Sequence, residues 1–122
     1  FLIVPSSSPY RGTSQAKLKP KSAIERTWES ILTTYSITYN QFVVFSNRIG
    51  YEDGVNFWGG SQIISPEGEI LRKGSRSRAS IYSAEIDTRD IRRSRITSPT
   101  YRDEKTLLFQ REFNRIQSSK KN

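Results

Sequence analysis

Phe42-Val43-Val44-Phe45-Ser46-Asn47-Arg48-Ile49-Gly50-Tyr51-Glu52-Asp53-Gly54, followed by Phe57-Trp58-Gly59-Gly60-Ser61-Gln62-Ile63-Ile64-Ser65-Pro66-Glu67-Gly68, is the stretch that decides the architecture. Phe42 to Phe45 is a continuous apolar run, the mark of a strand covered on both faces. Asn47 to Gly50 ends it. Tyr51 to Asn56 reads as a loop around the turn signal Glu52-Asp53-Gly54. Gly59 and Gly60 allow close backbone approach. Gln62 to Ile64 is a strand, Ser65 to Gly68 a turn and Glu69 to Leu71 the returning strand, so 61–72 reads as a β-hairpin.

Upstream, Phe1 to Val4 is a short buried strand candidate, stopped by Pro5-Ser6-Ser7-Ser8-Pro9. That loop leaves the C-terminal end of a strand, where the active sites of layered α/β folds commonly lie. Tyr10 to Lys19 is a polar connection. Ser22 and Glu25 have the spacing of a capping box. Apolar residues follow at Ile24, Trp28, Ile31, Leu32, Tyr35 and Tyr39, an amphipathic stripe that predicts a helix ending near Asn40. Downstream, Arg72 to Arg78 holds four basic residues among Gly and Ser and reads as an exposed, mobile loop. Replacing all four by Ser should then cost about 0.5 kcal/mol. Ile81 to Ile86 is a further strand candidate. Asp87 or Thr88 caps a short helix to about Arg95, Ser98-Pro99 breaks it, and Asp103 opens a last helix carrying Leu107, Leu108, Phe113 and Ile116. Gln117 to Asn122 is a polar tail. Strands and helices in this order predict an α/β chain of the layered α+β kind, sheet against helix.

The 122 residues suffice for one domain of ordinary size. The apolar share of 34% implies a thin core. With no Met and an apolar run at Phe1, the sequence reads as a piece of a longer protein. The absence of Cys and His removes disulfides, thiolate nucleophiles, imidazole bases and nearly all zinc sites from these residues. No cofactor and no metal site is expected. No segment approaches the ~20 apolar residues that span a membrane, and a cytoplasmic location is expected. The net charge of +8 fits either a solvated basic face or a polyanion partner. The solvated face is favoured because no nucleic-acid-binding motif accompanies it.

The segments from Val43 to Gly54 and from Phe57 to Gly68 together resemble the nitrilase superfamily of carbon–nitrogen hydrolases. That family shows a buried strand ending in Asn-Arg-Val-Gly, an acidic loop, an aromatic-Gly-Ser segment and an Asp-Pro-x-Gly hairpin. Ser65 stands where the family usually has Asp, and Thr38-Tyr39 where it often has Glu-Asn. Ile81 to Asp87 is similar to its final core strand, and Ile91-Arg92-Arg93 and Tyr101-Arg102-Asp103 fit the segments that follow. The resemblance implies the C-terminal half of an αββα sandwich. Residues 1–104 would be a partial carbon–nitrogen hydrolase domain and 105–122 a C-terminal helix and basic tail. It also implies hydrolysis of amides, nitriles or carbamoyl groups by a Glu-Lys-Cys set, with a thioester-type intermediate broken by water. All three residues would lie N-terminal to Phe1, so no catalytic residue is expected here and these residues alone should be inactive. Family members dimerise through the helices that follow the cysteine, which makes the helix over 22–39 an expected homo-oligomer contact. Its stripe would face the sheet, and Thr27, Thr34 and Ile37 would face a partner copy.

The candidate substrate-binding residues are Ser7, Ser8, Asn47, Phe57 and Trp58. Ser7 and Ser8 can meet a small amide or nitrile substrate, or simply satisfy their own turn. An amide at Asn47 can hold the Ser7–Ser8 loop in place, a role favoured over direct substrate contact. Phe57 and Trp58 can wall a pocket or belong to the core. Glu52 and Asp53 are not expected to form a catalytic pair, since adjacent side chains diverge. The alternative function is a small basic module that binds nucleic acid or an anionic surface. It would use Arg72, Lys73, Arg76, Arg78, Arg92, Arg93 and Arg95 against phosphates.

Overall fold

A computed structural model describes residues 1–10, 22–100 and 102–120. Nearly all of the polar connection expected over Tyr10 to Lys19 lies outside them, as do Pro20, Tyr101 and the last residues of the tail. The elements in chain order are β1 (Leu2–Ser6), α1 (Ala23–Thr38), β2 (Val43–Asn47), β3 (Ile49–Glu52), β4 (Val55–Trp58), β5 (Gln62–Ile64), β6 (Ile70–Lys73), α2 (Arg89–Thr97) and α3 (Thr106–Ser119). Four strands form one sheet in the order β1-β2-β5-β6, and β3 and β4 form a separate two-stranded sheet. β1 and β2 are parallel, with Leu2 opposite Val43 and Ser6 opposite Asn47. The other pairs are antiparallel.

The layered mixed α/β architecture is the expected one. α1 covers one face of the sheet. Leu32 of the helix is buried against Val43, Phe45, Ile64 and Trp58, with Leu2, Val4, Ile24 and Trp28 packed around them. Each such aliphatic or aromatic side chain, when fully buried, contributes about 1.5–3 kcal/mol. On the opposite face, Ile3, Val44, Ile63 and Arg72 stand in one row across the four strands, and Ile3 is 70% exposed. β1 runs two residues further than its apolar run suggests. Pro5 is tolerated there because, among the described residues, β1 pairs on one side only. Among the described residues no helix is long and apolar enough to cross a membrane.

Ser22 caps α1 as its spacing predicts, its Oγ accepting from Glu25 N–H at 3.2 Å. The helix ends in a Schellman motif. Asn40 N–H bonds Ile37 O, Gln41 N–H bonds Ser36 O, and Asn40 takes the left-handed conformation at φ 47°. The rotation of α1 differs from expectation. Glu25, Leu32 and Ser36 are the buried residues, while Ile31 and Tyr35 are exposed. The cause is the Glu25 carboxylate. It turns inward to Arg76 at 2.6 Å and Lys73 at 3.5 Å, and the 3.6-residue period carries Leu32 and Ser36 inward with it. Lys73 also pairs with Glu29. The loop expected to be mobile over Arg72 to Arg78 is therefore tethered to α1. Ile37 is exposed, as are Thr27 and Thr34, and its Cδ1 also reaches the β5–β6 turn, 2.8 Å from where a Cβ on Gly68 would stand.

That turn is held by Ser65, whose Oγ accepts from Glu67 N–H and Glu69 N–H. A hydroxyl thus does there what an Asp carboxylate does in many turns. The supposed loop over Tyr51 to Asn56 is a second hairpin. Asp53 and Gly54 both have positive φ and join β3 to β4 in a two-residue turn, and Asp-Gly is among the strongest hairpin signals. The strand expected over Ile81 to Ile86 is not formed. The segment carries no ladder and is fastened by side chains. Tyr82 Oη accepts from Ser75 N–H at 2.7 Å, Arg72 Nε donates to Ser83 O, and Ile81 is fully exposed.

At α2, Asp87 Oδ1 accepts from Arg89 N–H at 2.9 Å. Hydrogen bonds from the Arg89 guanidinium and backbone hold the Asp87 carboxyl down at about 2. Asp103 does not cap α3, whose first turn has no side-chain cap and none of whose residues is buried. The helix runs through Ser119, past the expected start of the tail. A buried polar cluster that no sequence motif announced docks α2. Asn40 Nδ2 donates to Ser94 Oγ at 2.8 Å and Ser94 Oγ donates to Pro66 O, while at the exposed edge Thr100 Oγ1 donates to Thr38 O.

Candidate active site

β1 and β2 end side by side, and the chain leaves β1 through Ser7 and Ser8. Beyond these strand ends lies an open depression lined by Pro5, Ser6, Ser7, Ser46, Asn47 and Arg48. The C-terminal ends of parallel strands are where the backbone diverges and leaves room for a ligand.

Asn47 organises the floor. It is 7% exposed. Its Oδ1 accepts from Ser8 N–H at 2.9 Å and its Nδ2 donates to Gly59 O at 3.0 Å. The backbone of Asn47 is held in turn by Ser61, whose Oγ accepts from Asn47 N–H at 3.0 Å. Ser6 O accepts from Arg48 N–H, and Arg48 O accepts from Gly59 N–H. One amide side chain thus ties the Ser7–Ser8 loop, the end of β2 and the glycine pair after β4 into one body. The hydrogen bond from the loop to Asn47 is the one its sequence position suggested.

The five candidate residues take different places. Ser7 is exposed on the depression and Asn47 lines it. Ser8 is buried behind it, its Oγ accepting from the Trp28 indole N–H at 2.9 Å. Phe57 is buried, with the Arg48 guanidinium 4.7 Å above its ring. Trp58 belongs to the core, stacked on Phe45. Gly60 is required beside it, since a Cβ there would meet the Trp58 ring at 2.4 Å. Arg48 forms the rim. It pairs with Glu52 at 2.5 Å, and its hydrogen bond holds the Glu52 carboxyl below its usual range. Glu52 is thereby an ionised partner of Arg48 and not half of an acid–base pair, and Asp53 sits in the hairpin turn. Sequence reasoning missed Ser61, Arg48 and the Trp28 hydrogen bond. The Asn-Arg pair at the strand end was the one signal for Arg48.

Much of the basic surface is engaged within the chain. Lys73 and Arg76 neutralise Glu25 and Glu29, Arg93 pairs with Asp90, and Arg72 bonds two backbone carbonyls. A second hollow, lined by Thr88, Ile91, Arg92, Arg95, Ile96 and Arg102, holds no carboxylate or thiol. Among the described residues no group of three or more His, Cys, Asp or Glu could hold a metal ion.

The model of the carbon–nitrogen hydrolase family matches residues 9–96, from the loop after β1 through most of α2. The chain belongs to the carbon–nitrogen hydrolase family. Its relatives in that family include the omega-amidase YafV of Escherichia coli, 30% identical over 77 residues, which cover 62% of this chain and 30% of that protein. A hydrolase in the agr operon of Staphylococcus aureus is 26% identical over 90 residues, 74% of this chain and 34% of that protein. Among solved structures, a carbon–nitrogen hydrolase from Helicobacter pylori superposes with a TM-score of 0.70 at 25% identity, covering 88% of this chain and 39% of that one. The protein XC1258 of Xanthomonas campestris, a member of the same superfamily, superposes with a TM-score of 0.67 at 20% identity over 85% of this chain and 36% of that one. This carbon–nitrogen hydrolase chain spans about a third of the length of the curated relatives it matches. The fold seen here is thus the nitrilase-superfamily fold, over the part of it that these residues form.

Proposed function

We propose that the protein carrying this chain hydrolyses non-peptide carbon–nitrogen bonds of a small amide, nitrile or carbamoyl substrate in the cytoplasm. A cysteine outside these 122 residues would supply the nucleophile, since the chain itself contains none. In this reading the substrate rests on the depression at the ends of β1 and β2. Ser7 meets it through its hydroxyl and backbone. Asn47 and Ser8 hold Ser7 there, and Phe57 and Trp58 back the wall from behind. The observation that carries the reading is the Asn47 clamp at the strand ends, in a chain that matches the family over residues 9–96. A pinned loop of this kind costs no reorganisation when substrate arrives, which is how positioning lowers a barrier.

The test is a panel of small amides, nitriles and N-carbamoyl amino acids. The full-length protein should turn over at least one of them, and residues 1–122 alone none above background. Turnover by the 122 residues would demand a nucleophile other than a thiol and sink the reading. So would failure of the full-length protein on the whole panel.

Association through α1 is the second part of the proposal, with the exposed row of Ile31, Tyr35 and Tyr39 joining the exposed Thr27, Thr34 and Ile37 that its sequence suggests. Ile31, Tyr35 and Tyr39 are spaced four residues apart, each more than 40% exposed, and the two tyrosine rings stack at 5.7 Å. A twofold contact would bring this row against itself. Sedimentation of the full-length protein should show a dimer that Tyr35→Glu dissociates. A monomer, or a dimer indifferent to the new charge, would remove α1 as the interface.

A further inference from the structure

We infer that Trp28 is a positioning residue for the substrate loop: its indole N–H, donated to Ser8 Oγ, fixes where Ser7 stands. The inference rests on the proposed function, because it takes the Ser7–Ser8 loop as the substrate's floor.

Nε1 of Trp is a donor only, so in the 2.9 Å contact with Ser8 the serine oxygen must accept. Ser8 N–H is already committed to Asn47 Oδ1. Two polar groups of one buried serine are therefore held from two separate elements, the first half of α1 and the end of β2. A residue gripped at both its backbone and its side chain has little freedom, and the peptide linking it to Ser7 shares that constraint.

The donor is itself braced by its neighbours. The Trp28 ring stacks on Phe45 at 5.1 Å, and Phe45 stacks on Trp58 at 5.8 Å. Phe45 and Trp58 are both buried. Three residues before Trp28, Glu25 is buried and paired with Arg76 and Lys73, which prevents α1 from turning about its axis. The constraints close into a ring. Arg76 follows Ser75, whose carbonyl accepts from Gly60 N–H. Gly59 O accepts from Asn47 Nδ2, Asn47 holds Ser8 N–H, and Trp28 holds Ser8 Oγ. The helix face and the strand end thereby set the loop together. An apolar residue at position 28 would pack as well but leave the loop held from one side.

The test uses the full-length protein. Trp28→Phe keeps an aromatic ring against Phe45 and removes the donor along with part of the indole's bulk. With a substrate from the panel, kcat/KM is expected to fall at least about tenfold, since small misplacements of a positioned group cost up to 10²-fold. Ser8→Ala removes the acceptor and should fall similarly, and the double variant should be no worse than either single one. In ¹⁵N-labelled protein, the indole signal absent from Trp28→Phe should lose its protection from water exchange in Ser8→Ala. Multiplicative losses in the double variant would overturn the inference. So would an unchanged kcat/KM in a folded Trp28→Phe or Ser8→Ala variant of an active protein, because a merely structural bond would lower stability alone. A wild type that hydrolyses nothing on the panel would overturn the proposed function and this inference with it, whereas an active wild type with unmoved variants would overturn only the inference.

Discussion

Replacing Asn47 by leucine is expected to destabilise the protein by about 3 kcal/mol. The leucine fills a similar volume but offers no polar atoms. Ser8 N–H and Gly59 O would lose their partners in a buried setting, and each buried group left unpaired costs about 1–3 kcal/mol. Activity on any substrate should fall with it, because the loop bearing Ser7 is then released. Asn47→Asp should lie between, since a carboxylate still accepts from Ser8 N–H but repels the Gly59 carbonyl. Urea denaturation with an unchanged slope would measure the difference. A loss under about 1 kcal/mol for the leucine variant would show that the clamp does not hold the strand ends together.

The other large effect belongs to Glu25. Its side chain is 3% exposed and faces Arg76 and Lys73, both partly exposed. Removing both cations in a Lys73→Ala, Arg76→Ala double variant leaves a buried carboxylate uncompensated, which costs about 3–5 kcal/mol. Adding Glu25→Leu should recover most of that loss, since a buried ion pair is often replaceable by apolar atoms of similar size. Arg78→Ala, at an exposed position of the same basic run, should change stability by no more than about 0.5 kcal/mol. If the double variant unfolds no more readily than wild type, the basic loop is solvated after all, as its composition suggests.

Glu25 also shows what a sequence reveals and what it withholds. Its spacing from Ser22 located the start of α1 correctly, and Asn40 located the end, because caps are local chemistry. The same glutamate misled the reading of which face is buried. A charge counts as polar in any periodic pattern, and its partners lie some fifty residues away on β6 and the following loop. The strands β2 and β5 and the β5–β6 hairpin were legible as apolar runs bounded by turn residues. β3 and β4 were not, since Tyr51, Glu52 and Val55 are exposed and mixed in character, leaving Asp53-Gly54 as the only clue. Ile81 to Ile86 has the alternation of a strand but no ladder, and alternation alone cannot supply a neighbouring backbone. At the site, the link from Asn47 to the Ser7–Ser8 loop was readable from an amide at the end of a buried strand. The Trp28 bond was not, because the stripe counted tryptophan as apolar surface and passed over its N–H, which usually finds a partner when buried.

The register of the sheet has a consequence for the order in which the chain folds. The β3–β4 and β5–β6 hairpins close loops of a few residues, and such contacts form early because little entropy is lost in closing them. β1 meets β2 only after a span on the order of forty residues has been gathered in, as the pairing of Leu2 with Val43 requires. Distant parallel pairing of this kind is slow. Asn47 and Gly59 can come together while Ser8 is still far away, so a half-made clamp waits on β2 for the incoming loop. Among these residues the candidate site is then completed late, when β1 arrives at a receptor that β2 and the loop after β4 have already built.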